Sequence, residues 1–177
     1  CYWNKPEATA AAFRDGWFHT GDIGVIESGF LRITDRKKEL FKTSGGKYVA
    51  PQVLENALKE ISLIEQVMVI GDGQKFPAAL IVPSFDVLSM WAQEHQLSDL
   101  SREECIMHPT LLQHLRMEID RINERFGNWE QVKSFRVLNR AFTIEDGEIT
   151  PTLKLKRKQI MLNWKAMVDD IYKQNAS

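Results

Sequence analysis

Thr34-Asp35-Arg36-Lys37-Lys38-Glu39-Leu40-Phe41-Lys42-Thr43-Ser44-Gly45-Gly46-Lys47-Tyr48-Val49-Ala50-Pro51 decides how this chain is read. It packs five cations and two adjacent glycines between two segments of regular pattern. Upstream, Phe30, Leu31 and Ile33 read as a strand. Downstream, Val53, Leu54, Ala57, Leu58 and Ile61 fall near helical spacing, with Pro51 well placed in a first helical turn. Gly45-Gly46 is the expected turn. A glycine pair lets backbone amides face outward and a ligand approach closely, which suits an anionic or extended partner flanked by Lys42 and Lys47. Taken alone, a glycine turn between charges is more often a solvated loop.

Working outward, 177 residues with 44% hydrophobic composition can bury one good core, or one core and a small appendage. Lys+Arg of 23 against Asp+Glu of 24 gives a net charge of -1, so no global field draws in nucleic acid or an anionic membrane, and any anion site must be local. Cys1 and Cys105 form no ligand-spaced pair, so neither a disulfide scaffold nor a zinc site is expected, and a cytoplasmic setting is the default. No apolar run approaches the roughly 20 residues needed to span a bilayer. Peripheral membrane contact stays open. Cys1 reads as a mid-sequence residue, and the start has no signal-peptide shape.

Upstream of the decisive stretch, residues 6–13 are helix-prone, and Ile23, Val25, Ile26 and Phe30, Leu31, Ile33 make two strand-like runs about a Glu27-Ser28-Gly29 turn. Downstream, a helix over 51–61 leads to two apolar strand-length runs, 64–71 and 78–83, expected to pair through the turn residues 72–77. Residues 85–95 read as an amphipathic helix and 96–104 as a polar loop. A long helix opens at Pro109, with Gly127 at its C-cap; a third strand follows near Phe135, Val137 and Leu138, and one last helix covers 158–173. The expected class is α+β, a short β-sheet flanked by helices.

A further cluster, Gly147-Glu148-Ile149-Thr150-Pro151-Thr152-Leu153-Lys154-Leu155-Lys156-Arg157-Lys158, carries four cations in its last five residues. Pro151 and the threonines favour an extended loop that presents Lys154 on a tip. A basic helix start, solvated or aimed at nucleic acid or acidic lipid, is the competing reading. His19, His95, His108 and His114 show no ligand spacing.

Three of these clusters together resemble the adenylate-forming superfamily of acyl-CoA synthetases, firefly luciferase and peptide-synthetase adenylation domains. Thr20-Gly21-Asp22 is similar to its ribose-binding motif. Asp35-Arg36-Lys37-Lys38 with Ser44-Gly45-Gly46-Lys47 is similar to its interdomain hinge and glycine loop, in wording that looks most like the long-chain fatty acid:CoA ligase branch. Thr150 to Lys154 is similar to its C-terminal Thr-x-x-x-Lys loop.

The resemblance implies a tail of a large N-terminal domain over 1–35, ending in an orphan hairpin, and a small mobile lid domain over 36–177. It implies Lys154 as the catalytic lysine, contacting the carboxylate and the α-phosphate, with Lys156, Arg157 and Lys158 accessory or solvated. Asp22 would accept from two ribose hydroxyls, Arg36 would hold phosphate or ribose, and Lys38 would be the hinge. Ser44, Gly45, Gly46 and Lys47 would face the pantetheine arm of CoA. Fatty acid, ATP and CoA are the implied small molecules, with Mg²⁺ implied by the nucleotide chemistry and no metal site located. The phosphate loop and acyl pocket are absent from these residues, so the piece alone is expected to be inactive. A ligase for another acid, or one that hands its acyl group to a carrier protein, is the alternative within the class.

Overall fold

The computed structural model describes residues 2–36 and 39–174. The chain divides into two compact units, Cys1–Leu40 and Phe41–Ser177.

The first unit opens with helix α1 (Pro6–Ala12), whose Pro6 sits in the first turn, where its missing N–H costs nothing. Strands β1 (Phe13–Arg14) and β2 (Trp17–Phe18) pair antiparallel, bringing the Phe13 and Phe18 rings to 5.1 Å. β3 (Asp22–Glu27) and β4 (Phe30–Arg36) form the expected hairpin. Its turn residues Ser28 and Gly29 have φ of 51° and 83°, the left-handed pair that a two-residue hairpin turn demands. Ile26 and Phe30 are 78% and 80% exposed, so this hairpin keeps much of its apolar surface uncovered.

The second unit is built on a three-stranded sheet, and the covering of both its faces explains why two strands read as nearly continuous apolar runs. β5 (Phe41–Lys42) and β6 (Tyr48–Val49) first form a small hairpin, followed by α2 (Pro51–Leu58). β7 (Ile64–Ile70) pairs antiparallel with β8 (Ala78–Pro83), placing Val67 opposite Ile81. After α3 (Phe85–Glu94), α4 (Arg102–Met107) and α5 (Pro109–Asn123), strand β9 (Ser134–Val137) joins β8 in parallel. The order is β7-β8-β9.

Successive side chains on a strand point to opposite faces, and here both faces are covered. Val67, Val69, Ala79 and Ile81 pack with Leu54, Leu58, Leu111, Leu115 and Ile119. Met68, Ile70, Leu80 and Val82 pack with Phe142, Ile160, Val168 and Ile171. The last three belong to α6 (Arg157–Asn163) and α7 (Lys165–Gln174). Each fully buried Leu or Ile contributes about 1.5–3 kcal/mol. The expected α+β class is therefore observed, with helices on both faces of a small sheet.

Three expectations are corrected. Residues 96–104 are not simply loop, because α4 starts at Arg102 under a capping box: the Glu104 N–H donates to the Ser101 hydroxyl, and the Ser101 N–H donates to the Glu104 carboxylate. The long helix ends at Asn123 with Glu124 as its cap. Gly127 lies beyond it, where a Cβ would meet the Trp129 ring at 3.0 Å, so the glycine serves close approach and not capping. The last helix is two, broken at Trp164, whose backbone leaves the helical region at φ -106°, ψ 19°. Among the described residues no helix is long and apolar enough to cross a membrane.

Candidate functional site

Lys154 stands on a tight loop that closes on itself. The Thr150 N–H donates to the Lys154 carbonyl at 2.9 Å, the Leu153 N–H donates to the Thr150 carbonyl at 2.8 Å, and the Lys154 N–H donates to the Thr150 hydroxyl at 3.0 Å. A lone bridge, Ile149 to Leu155, seals the base. Leu153 turns the chain with φ of 59° and is 73% exposed. Lys154 itself is exposed, as a side chain offered outward must be.

Both roots of the loop are clamped by a carboxylate and an arginine. On the upstream side Glu148 is 0% exposed, and Arg140 donates to its two oxygens at 2.7 and 3.0 Å. Asn163 Nδ2 and Trp164 Nε1 donate to the same carboxylate at 3.0 and 2.9 Å, which accounts for the helix break at Trp164. Burial pushes the Glu148 carboxyl up, but the hydrogen bonds from Arg140, Asn163 and the Thr143 N–H outweigh it and hold it below its ordinary value of 4.5.

On the downstream side Arg157 opens α6 and donates to both oxygens of Glu55 at 2.7 and 2.8 Å. Glu55 also accepts from the Val69 N–H at 2.8 Å. Here burial wins over Arg157, and the Glu55 carboxyl is raised above 4.5. Arg157 is thus not the solvated or accessory cation expected from the basic run; it is committed to a buried carboxylate.

The glycine stretch forms the β5–β6 hairpin. The Thr43 N–H donates to the Lys47 carbonyl at 2.9 Å, and the Gly46 N–H donates to the Thr43 carbonyl at 2.9 Å. Ser44 is tied to the following loop, its N–H donating to the Gln74 carbonyl at 2.8 Å. Gly46 has φ of 80°, while a Cβ on Gly45 would meet nothing nearer than the Thr43 hydroxyl at 3.9 Å. The Lys47 ammonium lies 5.3 Å from the Trp129 ring centroid.

In the first unit Asp22 begins β3 directly opposite Arg36 on β4, so the hairpin ladder puts these two candidates at one register position. Gly21 turns the chain with φ of 77°, and the Asp22 N–H donates to the Thr20 hydroxyl at 3.1 Å. Lys38, the candidate hinge, lies outside the described residues. Asp22 and Arg36 therefore belong to one unit, and Ser44 to Lys47 and Lys154 to the other.

Sequence reasoning missed the four clamping residues. Glu55 left a signal: Pro51, Glu55 and Leu58 recur at four and three residues, so the carboxylate falls within the apolar stripe of α2. Glu148 left none, because an irregular loop has no periodicity to break. Among the described residues no group of three or more His, Cys, Asp or Glu gathers as a metal site.

The second unit thus presents a small helix-covered sheet, a glycine hairpin and an exposed lysine on a clamped loop. The family described as AMP-binding enzyme C-terminal domain matches residues 39–176, and the chain belongs to it as the C-terminal part of an adenylate-forming enzyme. The long-chain-fatty-acid–CoA ligase FadD15 of Mycobacterium tuberculosis is 39% identical over 173 residues, which cover 97% of this chain and 29% of that protein. Long-chain-fatty-acid–CoA ligase 1 of Homo sapiens is 36% identical over 178 residues, covering 97% of this chain and 25% of that protein. The adenylation domain of a carboxylic acid reductase from Segniliparus rugosus, solved with AMP and a co-purified carboxylic acid, superposes with a TM-score of 0.76 at 26% identity. That match covers 99% of this chain and 26% of the other. The chain thus spans little more than a quarter of the proteins it resembles.

Proposed function

We propose that the chain is the lid of an ATP-dependent long-chain fatty acid:CoA ligase. The whole enzyme would join a carboxylate to AMP with release of pyrophosphate, then exchange AMP for the CoA thiol. Residues 1–35 are the tail of the large domain and 36–177 the mobile domain, with Lys38 as the hinge. The observation that carries this reading is Lys154 itself, exposed on a self-bonded tip whose two roots are held by buried carboxylate–arginine forks.

A positive charge delivered only when a lid closes stabilises charge that develops in the transition state, and that is the role of Lys154 toward the carboxylate and α-phosphate oxygens. Asp22, at the head of β3, offers two acceptor oxygens to the ribose hydroxyls, and Arg36 across the ladder supplies a guanidinium for phosphate or ribose. Ser44, Gly45, Gly46 and Lys47 line the path of the pantetheine arm, where a missing Cβ permits close passage. Mg²⁺ would accompany ATP in such chemistry, held chiefly by the nucleotide phosphates. The substrates are small molecules, and the compartment we propose is the cytoplasm.

The test is to assay the two half-reactions separately in the full-length enzyme. Lys154→Ala should cut acyl-AMP formation by about 10²–10³ while thioester formation from supplied acyl-AMP and CoA survives. Equal losses in both steps would remove Lys154 from the chemistry. A second reading, transfer to a carrier protein, draws on the likeness to the carboxylic acid reductase didomain, solved with AMP, at a TM-score of 0.75. It predicts acyl transfer to a phosphopantetheinylated carrier and none to free CoA.

A further inference from the structure

Glu55 and Arg157 are 102 residues apart in sequence, yet they meet in a two-bond fork inside the fold. A buried ion pair is a poor device for stability, because removing two charges from water costs about as much as their attraction returns, and apolar residues of the same volume often serve as well. What a fork supplies is direction: a planar guanidinium on a carboxylate fixes both distance and orientation.

The location of the fork shows what is being oriented. Arg157 is three residues beyond Lys154 and is the first residue of α6, a helix whose N-cap Lys156 makes no side-chain capping bond. Glu55 lies one turn into α2, which also lacks a side-chain cap and which directly follows the β5–β6 glycine hairpin. The Glu55 carboxylate is itself oriented by the Val69 N–H of β7, and Arg157 reaches the Val69 carbonyl at 3.3 Å. The Lys156 N–H ties the downstream root of the Lys154 loop to the Glu148 carbonyl at 2.7 Å, within the loop itself, and the fork is what ties that root across to α2 and β7.

We infer that Arg157 and Glu55 are a positioning pair for Lys154, fixing the downstream root of its loop against α2 and β7 and so setting where the ammonium is delivered. The inference rests on the role proposed above for Lys154. Neither residue of the pair touches substrate in this reading; each acts through the loop.

The experiment uses the full-length enzyme with Arg157→Lys, Glu55→Gln and the apolar double variant Glu55→Leu/Arg157→Leu, beside Lys154→Ala. Displacing a catalytic group by about 1 Å costs on the order of 10²-fold in rate, so each fork variant should lower kcat for acyl-AMP formation by about that factor. KM for ATP and for the acid should stay within about twofold, and thioester formation from supplied acyl-AMP should match wild type. Amide exchange at Leu153 to Lys156 should accelerate. The double variant guards against misfolding, since it replaces the pair by packed side chains and leaves the second half-reaction as an internal measure of native structure.

Wild-type adenylation in the double variant, or equal losses in both half-reactions, would overturn the inference. Lys154→Ala separates the two levels. If it leaves adenylation intact, the role of Lys154 itself falls. If it abolishes adenylation while the fork variants keep wild-type rates, only the positioning pair falls.

Discussion

The Arg140 guanidinium grips both oxygens of the Glu148 carboxylate, at 2.7 and 3.0 Å, immediately upstream of the strand-like bridge that closes the Lys154 loop. Its partner fork across the loop, Glu55 with Arg157, has the opposite electrostatic balance. Hydrogen bonds win at Glu148 and lower its carboxyl, whereas burial wins at Glu55 and raises it.

The first prediction follows from that contrast. Because the folded Glu148 carboxyl lies below 4.5, its ionised form stabilises the fold at pH values above 4.5, and this contribution is lost as pH falls through the lower folded value. Glu55 contributes with the other sign: protonation is favoured in the fold, and that contribution is lost as pH rises through its raised folded value. Thermal unfolding followed from pH 7 downward should therefore show an acid-side loss of stability that Glu148→Gln reduces. An unchanged acid limb in Glu148→Gln would mean that the carboxylate is not a stabilising charge.

The two glycines of the β5–β6 hairpin separate fold from function. Gly46 has φ of 80°, so Gly46→Ala should cost about 1 kcal/mol of stability. A methyl group on Gly45 would meet only the Thr43 hydroxyl, at an ordinary contact distance of 3.9 Å. Gly45→Ala should therefore stay within about 0.5 kcal/mol of wild type. If the pantetheine arm passes here, Gly45→Ala should nonetheless raise KM for CoA in the full enzyme, while acyl-AMP formation is unaffected. Wild-type KM for CoA in Gly45→Ala would move the arm elsewhere.

Legibility in the sequence depends on range. The apolar runs at β7 and β8 are readable because a sheet covered on both faces needs apolar residues at nearly every position, Glu65 and Gln66 near the start of β7 being the exceptions. The Ser28-Gly29 turn and the proline starts of α1, α2 and α5 are local chemistry, and they fall where the residues put them. The α4 start is equally local, in Ser101 and Glu104, but polar surroundings hide it among loop residues. The break at Trp164 is not legible, since it depends on Glu148, which meets Trp164 only in the folded chain. The same holds for Arg157: a basic run predicts solvent, and only the distant Glu55 converts one of its members into a structural residue.

A third prediction concerns a buried amide. Asn123 ends α5 and brackets Val132, donating to its carbonyl at 3.0 Å and accepting from its N–H at 2.9 Å. Arg116 also donates to the Val132 carbonyl, at 3.2 Å, so in Asn123→Ala only the N–H would lose its partner. An unpaired buried donor costs about 1–3 kcal/mol, and denaturant unfolding should show a loss in that range with an unchanged m-value. A loss under about 0.5 kcal/mol would show that this N–H finds another acceptor.

The last prediction tests the first unit. Asp22 and Arg36 are ladder partners on β3 and β4, and Asp22 is presented by the left-handed turn at Gly21 and the Thr20 hydroxyl. If its carboxylate accepts from both ribose hydroxyls, Asp22→Asn removes the charge and turns one acceptor into a donor. Charge-assisted hydrogen bonds contribute about 1.5–3 kcal/mol each, so KM for ATP should rise by roughly 10- to 100-fold in the full-length enzyme. Loss of a general contact could do the same, so the discriminating measurement is a cycle with 2′-deoxy-ATP. Wild type should lose affinity for the deoxynucleotide, because one acceptor oxygen is left unpaired. Asp22→Asn should discriminate much less between the two nucleotides, its partner for that hydroxyl being already impaired. Undiminished discrimination in Asp22→Asn would place the ribose on another residue, and Asp22 would then be a turn aspartate that serves only to start β3.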